Sequence, residues 1–268
     1  MSTPSILPSV DSSRSEVGRR AAFHIERLLR QYVRGDRVVN GPDYFRLITG
    51  EPHPLGNLVT LPMVTDRSRI EPAIAPLRHA AFPSAVIFPE GIDEAAKSVV
   101  LAAGYGDAGP MPAMAVDIDR LAPTRLPTGY TCSRVGIGAG GEAWADALAE
   151  GYGIPLKVAR LFSPATIQVD SDADAALQFF AVHRHGRIVA TALLYLADGV
   201  AGIYCVATLK EERGQGLGAH VTAEALRAAG RLGYRVGVLQ SSEDGHPVYR
   251  RLGFEDVGNV PMFVRVPT

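Results

Sequence analysis

The sequence predicts an α/β (α+β) protein in which helices flank mixed, mostly antiparallel sheets. Residues 176–208 alternate apolar and polar side chains and turn at His185-Gly186 and Asp198-Gly199, which is the pattern of a three-stranded antiparallel meander. Other segments repeat apolar residues at steps of three and four, which indicates amphipathic helices. A sequence similarity between the two halves of the chain indicates that one fold is present twice.

The first half alternates predicted helices and strands. Apolar spacing predicts helices over residues 15–33, 67–80 and 93–104, and short apolar runs predict strands over 56–64 and 84–90. In the second half we expect two consecutive helices over 142–162, broken near Gly153 and Pro155. After the meander we expect a helix to about Leu232, a strand over 234–240, a short helix and a closing strand.

The internal similarity joins residues 102–114 to residues 251–263 at an offset of 149 positions. The identical pairs are Gly104/Gly253, Asp107/Asp256, Gly109/Gly258 and Pro112/Pro261. Each copy follows a short helix that itself follows a short apolar strand. Chance matching of loop residues is the alternative, and two copies of one α/β fold, the first of them degraded, is the preferred interpretation.

The chain of 268 residues fits two small domains better than one. We predict a disordered leader (1–14), a first domain (15–119), a linker rich in proline (120–129) and a second domain (130–268).

Composition excludes several classes of function. The net charge is −1 and neither half is basic, so binding to nucleic acid or to an anionic membrane surface is not expected. The apolar runs are too short to span a bilayer. Cys132 and Cys205 form no disulfide framework or metal pattern, and a reducing cytoplasm is the expected compartment. The alternating acids Asp170, Asp172 and Asp174 lie in a predicted loop, and no metal site is expected.

A glycine-rich segment, KEERGQGLG over residues 210–218, follows the meander and begins a predicted helix. Backbone N–H groups at a helix N-terminus attract anions, and glycines at 214, 216 and 218 let a diphosphate approach the main chain. The segment is neither the P-loop G-x-x-x-x-G-K-[ST] nor G-x-G-x-x-G. The competing interpretation is a flexible turn that merely starts a helix.

At this point the sequence resembles the GCN5-related N-acetyltransferases (GNAT). The signature of that family is [Arg/Gln]-x-x-Gly-x-[Gly/Ala], and Arg213, Gly216 and Gly218 occupy its fixed positions. GHPVYRRLGFEDVG, over 245–258, is similar to the family's Tyr-x-x-x-Gly-Phe segment. The resemblance covers roughly residues 130–268, and the worn first copy resembles tandem members of the superfamily. The resemblance therefore implies two GNAT-like domains.

The resemblance implies that acetyl-CoA is the cosubstrate. The loop Arg213, Gly214, Gln215, Gly216, Leu217 and Gly218 would hold its pyrophosphate, and the strand edge at Val206, Ala207 and Thr208 would bind the pantetheine arm and the thioester carbonyl. Ser242 stands where relatives often have an asparagine that contacts CoA.

Tyr249 occupies the position of the family's usual tyrosine acid, which protonates the departing thiolate; packing of a small helix is the alternative. Many relatives carry a glutamate base on the strand before the loop, and the nearest position here is Tyr204. That departure leaves the base open, with Glu243, Asp244 and His246 as weaker candidates. A covalent intermediate on Cys205 is a minor alternative to direct transfer.

We therefore expect an acetyl-CoA-dependent N-acetyltransferase that transfers an acetyl group to a primary amine by direct attack in a ternary complex, without a metal. The acceptor is a small-molecule or peptide amine that the sequence does not identify, and the protein is a monomer or a homodimer. The alternative is a non-catalytic module that binds and senses acyl-CoA.

Overall fold

In the computed structural model, residues 6–62, 67–136, 138–167 and 175–267 are described, and the three aspartates at 170, 172 and 174 lie outside these ranges. The helices are α1 (Arg14–Tyr32), α2 (Ile70–Ile74), α3 (Glu94–Ala102), α4 (Ala139–Tyr152), α5 (Leu156–Arg160), α6 (Leu217–Arg231) and α7 (His246–Leu252). The strands are β1 (Val38–Asn40), β2 (Phe45–Ile48), β3 (Asn57–Thr60), β4 (Ser84–Ile87), β5 (Gly106–Asp117), β6 (Tyr130–Val135), β7 (Leu177–Arg184), β8 (Arg187–Ala197), β9 (Val200–Thr208), β10 (Val236–Gln240) and β11 (Glu255–Arg265). None of the helices in these ranges is long and apolar enough to cross a membrane.

The described strands form one mixed sheet of eleven, in the order β1-β2-β3-β4-β11-β5-β10-β9-β8-β7-β6. The mixed α/β class agrees with the sequence, but the expectation of two separate sheets does not. The last strand of each half pairs with the other half: β5 lies against β10, and β11 lies against β4. Because each half completes the sheet of the other, the strands do not divide into two units.

The internal similarity coincides with this exchange. β5 and β11 are the two similar segments, and they pair with each other in antiparallel register. Met111 faces Val260, which is its own counterpart at the offset of 149, so the pairing is nearly two-fold symmetric about this point. The order of elements also repeats, since β3 pairs with β4 in parallel and β9 pairs with β10 in parallel before a helix and a long antiparallel strand.

Several local predictions differ from the structure. Residues 67–80 contain two 3-10 turns around the short helix α2 instead of one helix, because Pro72 and Pro76 cannot continue a helical hydrogen-bond ladder. Residues 6–14 are ordered, although the sequence placed them in a disordered leader. Leu7 and Val10 are buried, and the Val10 amide donates to Asp117 Oδ1 at 2.8 Å. Residues 121–129 contain neither helix nor strand, and Arg120 is the last residue of a 3-10 turn; the linker over 120–129 stays a prediction.

One hydrophobic core spans both halves of the chain. Its largest cluster joins Phe45 and Leu58 of the first half to Trp144 and Tyr195 of the second. Helix α1, which belongs to the first half, contacts β11, β5, β10 and β9. Helix α1 of the first half is therefore buried against strands of the second half.

Candidate active site

The glycine segment enters α6 through two residues in left-handed backbone conformation. Gly214 has φ +80° and Gly216, the N-cap of α6, has φ +77°. A Cβ added at either position would meet no atom within 4 Å. Glycine is therefore required at these two positions by the backbone dihedral and not by crowding, because an L side chain at positive φ is strained. The space above the loop is left open.

The main chain of this loop presents six unbonded donors. Among the described residues, the N–H groups of residues 214–219 donate to no protein atom, and the first bonded amide is that of His220, which donates to Gly216 O at 3.0 Å. These donors coincide with the positive end of the α6 dipole. An anion with several acceptor oxygens, such as a diphosphate, matches this arrangement. Leu217 is buried, so it offers only its amide.

Arg213 contributes a positive charge beside these amides and also fixes the neighbouring elements. Its guanidinium donates to Gly151 O at 2.8 Å and to Thr208 O at 3.2 Å. Both partners are carbonyls, so the charge of Arg213 is not neutralised by a carboxylate in these contacts. The end of α4 is thereby held against the end of β9 beside the loop.

Strand β9 leaves one edge unpaired where the loop begins. β9 and β10 are paired only at Ala201 and Gly202, and the described strands show no pairing between them beyond that point. On its other edge β9 stays paired with β8 up to Thr208, apart from a bulge. The predicted binding residues Val206, Ala207 and Thr208 lie on this free stretch, where an extended ligand such as a pantetheine arm can add to the strand edge.

The bulge interrupts β9 at the residues next to this edge. Thr191 faces Ala207 and Leu193 faces Tyr204, so one residue of β8 opposes two residues of β9. Cys205, one of these two, has φ +51°, and its carbonyl accepts a hydrogen bond from Thr191 Oγ1 at 2.8 Å. Bulges of this type re-aim main-chain groups and are common next to active sites. Burial raises the pKa of the Cys205 thiol to about 12, which argues against a thiolate nucleophile.

Tyr249 lies in the middle of α7, the helix that follows β10. It is 9% exposed, its ring packs against Phe254 with centroids 5.6 Å apart, and burial raises the pKa of its phenol. The hydroxyl is therefore protonated at neutral pH and available as a donor. Ser242, in the exposed turn before α7, uses its hydroxyl to accept from the Gly245 amide at 3.2 Å. Its side chain thus caps this turn instead of projecting freely to a ligand.

Tyr204 has its hydroxyl committed inside the protein. The Nε2 of His24 lies 3.3 Å from the Ala197 carbonyl and must donate to it, which leaves Nδ1 as an acceptor for the Tyr204 hydroxyl at 2.9 Å. Burial raises the pKa of Tyr204 and lowers the pKa of His24 to about 3. Nothing in this geometry supports Tyr204 as a base in contact with an acceptor, and its catalytic assignment stays a prediction.

The other base candidates before Tyr249 also differ in what they contact. The Nε2 of His246 lies 2.9 Å from Asp256 Oδ1. Glu243 and Asp244 are exposed. No group of three or more metal-ligating side chains is present in the described ranges.

Two residues of this region carry no signal in the sequence. His24 reaches β9 from the first half of the chain, and a Cβ at Gly202 would lie 2.2 Å from its Nδ1. Tyr152, at the end of α4, is 43% exposed, and its phenol lies near Cys205, Val206 and Tyr249. Both positions depend on contacts between distant segments, so no local pattern indicates them.

Opposite faces of β9 carry different parts of the site. Ala207 and Tyr204 face α4 and α1, since Gly151 of α4 packs on Ala207 and His24 of α1 packs on Tyr204. Val206 and Thr208 face Gly218 of α6 on the other side. A ligand whose diphosphate lies on the α6 loop can therefore reach the free edge of β9, where Val206 and Thr208 adjoin Gly218.

Comparison with known proteins agrees with this architecture. Residues 143–254 match the sequence model of the acetyltransferase (GNAT) family. No curated protein matches the chain in sequence. A GCN5-related N-acetyltransferase from Kribbella flavida is 24% identical with a TM-score of 0.64, and the alignment covers 93% of this chain and 95% of that one.

Two further structures share the fold at lower identity. A GCN5-related N-acetyltransferase from Sphaerobacter thermophilus is 17% identical with a TM-score of 0.59, over 95% of this chain and 91% of that one. A tandem GNAT protein from the clavulanic acid biosynthesis pathway is 16% identical with a TM-score of 0.50, over 98% and 97%. At these identities the structures show a shared fold, and the match to the sequence model of the acetyltransferase (GNAT) family is confined to residues 143–254.

Proposed function

We propose that the protein is an acetyl-CoA-dependent N-acetyltransferase that acetylates a primary amine by direct attack in a ternary complex. The observation that carries the proposal is the row of six unbonded amides over residues 214–219, next to the unpaired edge of β9. A row of donors without protein acceptors, at a helix N-terminus and beside a positive Arg213, fits the diphosphate of a coenzyme A thioester.

The binding energy available at this loop is sufficient for a cosubstrate. A hydrogen bond to a charged group contributes about 1.5–3 kcal/mol. Three or four such bonds, less the cost of ordering the ligand, reach the roughly −8 kcal/mol of a micromolar complex. The pantetheine amides would then pair with the free main-chain groups of Val206, Ala207 and Thr208, and the thioester would lie near the bulge at Cys205.

The chemical step moves one acyl group and one proton. The amine nitrogen attacks the thioester carbon, a tetrahedral oxyanion forms, the carbon–sulfur bond breaks, and the sulfur leaves as a thiolate that must be protonated. Main-chain N–H groups at the bulge would stabilise the oxyanion. Tyr249 would protonate the leaving sulfur as the acid and regain its proton from water. This transfer is uphill by about 2 kcal/mol for an ordinary phenol near pKa 10 and a thiol near 8.5, and burial of Tyr249 adds to the cost.

The attacking amine must lose a proton before it can act as a nucleophile. Deprotonating an amine of pKa near 10.4 at pH 7 costs roughly 4–5 kcal/mol. Because the Tyr204 hydroxyl is bound to His24, we infer that the proton leaves through water or that the amine binds in its neutral form.

The experiment that tests the function is thiol release from acetyl-CoA with a panel of amines, comparing the wild type with Tyr249→Phe. We expect kcat to fall at least tenfold with unchanged affinity for acetyl-CoA. Tyr234→Phe is the matched control, because this half-buried phenol follows the end of α6 and is not part of the site. Equal rates in wild type and Tyr249→Phe would remove the assigned acid.

A non-catalytic module that binds acyl-CoA is the second candidate. The observation in its favour is the internal hydrogen bond of Tyr204, which occupies the position where many relatives carry a base. This candidate predicts tight binding of acetyl-CoA without thiol release for any amine. Turnover with one amine above the rate of hydrolysis would exclude it.

We further propose that the first half is a degenerate GNAT-like copy that supports the second. The order of elements repeats, and at the offset of 149 the buried Val100 stands in the place of Tyr249. The first half therefore lacks the proposed acid. It contributes α1, whose His24 and Ala21 bond to Tyr204 and Gln240 on the strands of the site.

A further inference from the structure

A carboxylate lies directly behind the loop that presents the unbonded amides. Glu212 is the last residue of the short 3-10 turn Lys210–Glu212, which follows β9 and directly precedes Arg213. Its side chain is only 9% exposed. A negative charge at this place opposes the binding of a diphosphate, so its burial beside the loop needs a physical reason.

The carboxylate of Glu212 accepts hydrogen bonds from three separate segments of the chain. It accepts from the Tyr130 hydroxyl at 2.6 Å, from the Arg184 guanidinium at 2.9 Å and from Gln215 Nε2 at 2.9 Å. The guanidinium of Arg184 also lies over the Tyr130 ring, 5.1 Å from its centroid. The Tyr130 hydroxyl, followed by the other donors, lowers the pKa of Glu212, which keeps the carboxylate ionised.

The contact with Gln215 reaches into the loop itself. Gln215 stands between Gly214 and Gly216, the two residues with positive φ. Glycines at these positions allow many backbone conformations in the free chain, and fixing them costs conformational entropy. Holding the side chain of the residue between them restricts both neighbouring peptides before any ligand binds, which lowers the entropic cost of binding.

We propose that Glu212, with Tyr130 and Arg184, is a positioning residue that holds Gln215 and thereby keeps the amides of residues 214–219 in the geometry that receives the diphosphate. The inference rests on the proposed coenzyme A site. Arg184 neutralises the carboxylate of Glu212. These contacts can therefore order the loop without leaving an uncompensated negative charge next to the ligand.

The two possible roles of Glu212 predict effects of opposite sign on affinity. If Glu212 acts only as a negative charge, Glu212→Ala tightens the binding of coenzyme A. If Glu212 orders the loop, Glu212→Ala raises both the Kd for coenzyme A and the KM for acetyl-CoA about tenfold, and kcat stays within twofold of the wild type. Titration calorimetry with coenzyme A and the thiol-release assay measure these quantities, and unchanged or tighter binding would overturn the inference.

Glu211→Ala is the matched control. Glu211 is the preceding residue on the same turn, but its side chain is 54% exposed and pairs with Arg187 at 3.1 Å. Its removal deletes the same charge without touching Gln215, and we expect unchanged or slightly tighter binding. Glu212→Gln, which keeps an acceptor for Tyr130, should give an intermediate Kd. If Glu212→Ala fails to fold, Glu212→Gln and Tyr130→Phe replace it, and wild-type affinity in both would overturn the inference.

A measurement on the ligand-free protein separates this inference from the proposed function. Backbone ¹⁵N relaxation should give order parameters near 0.85 for residues 214–218 of the wild type and values under about 0.6 in Glu212→Ala. Equal order parameters in the wild type and in Glu212→Ala would overturn the inference that Glu212 orders the loop. Absence of coenzyme A binding by the wild type would instead remove the proposed function, and the relaxation data would still decide whether Glu212 orders the loop.

Discussion

The buried His24 makes the protein sensitive to acid in a way that can be calculated. His24 is fully buried between α1 and β9, and burial lowers its pKa from 6.5 to about 3. In the unfolded chain the same imidazole is free to titrate near 6.5. Between these two pH values the unfolded state binds a proton that the folded state does not, so this residue destabilises the fold as the pH falls from 6.5 toward 3.

The size of the effect follows from the interval of pH that is crossed. Each unit below 6.5 costs about 1.4 kcal/mol, so a fall to pH 4.5 costs the wild type roughly 2–3 kcal/mol of unfolding free energy through His24 alone. His24→Gln removes the titration. We expect the variant to be less stable than the wild type at pH 7.5, because the imidazole packing over Gly202 is lost, and its stability to fall by 2–3 kcal/mol less on acidification.

Urea unfolding at pH 7.5, 6.5, 5.5 and 4.5 measures this difference. Other histidines are present in both proteins and cancel in the comparison. His79→Gln is the control, since His79 is exposed in the turn after α2 and should leave the curve unchanged. Parallel dependences of stability on pH for the wild type and His24→Gln would refute the reasoning, because they would mean that His24 is accessible to protons in the folded state.

Three further substitutions test the geometry of the site. Gly202→Ala places a Cβ 2.2 Å from His24 Nδ1 and 2.8 Å from the Tyr204 ring, and should destabilise the protein by about 1–3 kcal/mol in urea unfolding, whereas Gly136→Ala, with no atom within 4 Å of the added Cβ, should change little. Gly216→Ala meets no neighbour but must adopt φ +77°; we expect about 1–2 kcal/mol of lost stability by thermal denaturation and weaker coenzyme A binding, and wild-type stability would contradict the left-handed cap. Arg213→Gln loses the guanidinium bonds to Gly151 and Thr208 and the positive charge; the Kd for coenzyme A should rise at least fivefold and its dependence on salt should weaken, and an unchanged salt dependence would show that Arg213 does not act on the diphosphate.

The sequence predicted the local features of the site well. The meander, the glycine loop and the helix behind it follow from alternation, from glycine positions and from helical spacing, and the structure has β7, β8, β9 and α6 in these places. The place of Tyr249 on a short helix was also predictable, because the motif around it is contiguous in the chain. The segment over 67–80 is the exception: apolar spacing predicts one helix there, but its prolines interrupt the helical hydrogen bonds.

The association of the two halves was not predictable in the same way. The similarity between residues 102–114 and 251–263 indicated two copies of one fold, but it contained no information on which strand each copy would join. In the structure each copy pairs with the other and with a strand of the opposite half. Backbone pairing between strands depends on few side-chain identities, so an exchange of equivalent strands leaves almost no trace in the sequence.

By itself the sequence determined the chemistry that the main chain offers at one loop, because positive φ at Gly214 and Gly216 and an amphipathic helix after them are properties of neighbouring residues. Only the tertiary structure decided that Tyr204 is bonded to His24, 180 positions earlier, and that Glu212 joins Tyr130, Arg184 and Gln215. The physical reason is range: dihedral preference and periodicity act over a few residues, whereas a buried hydrogen bond between distant segments exists only after the sheet has brought them together.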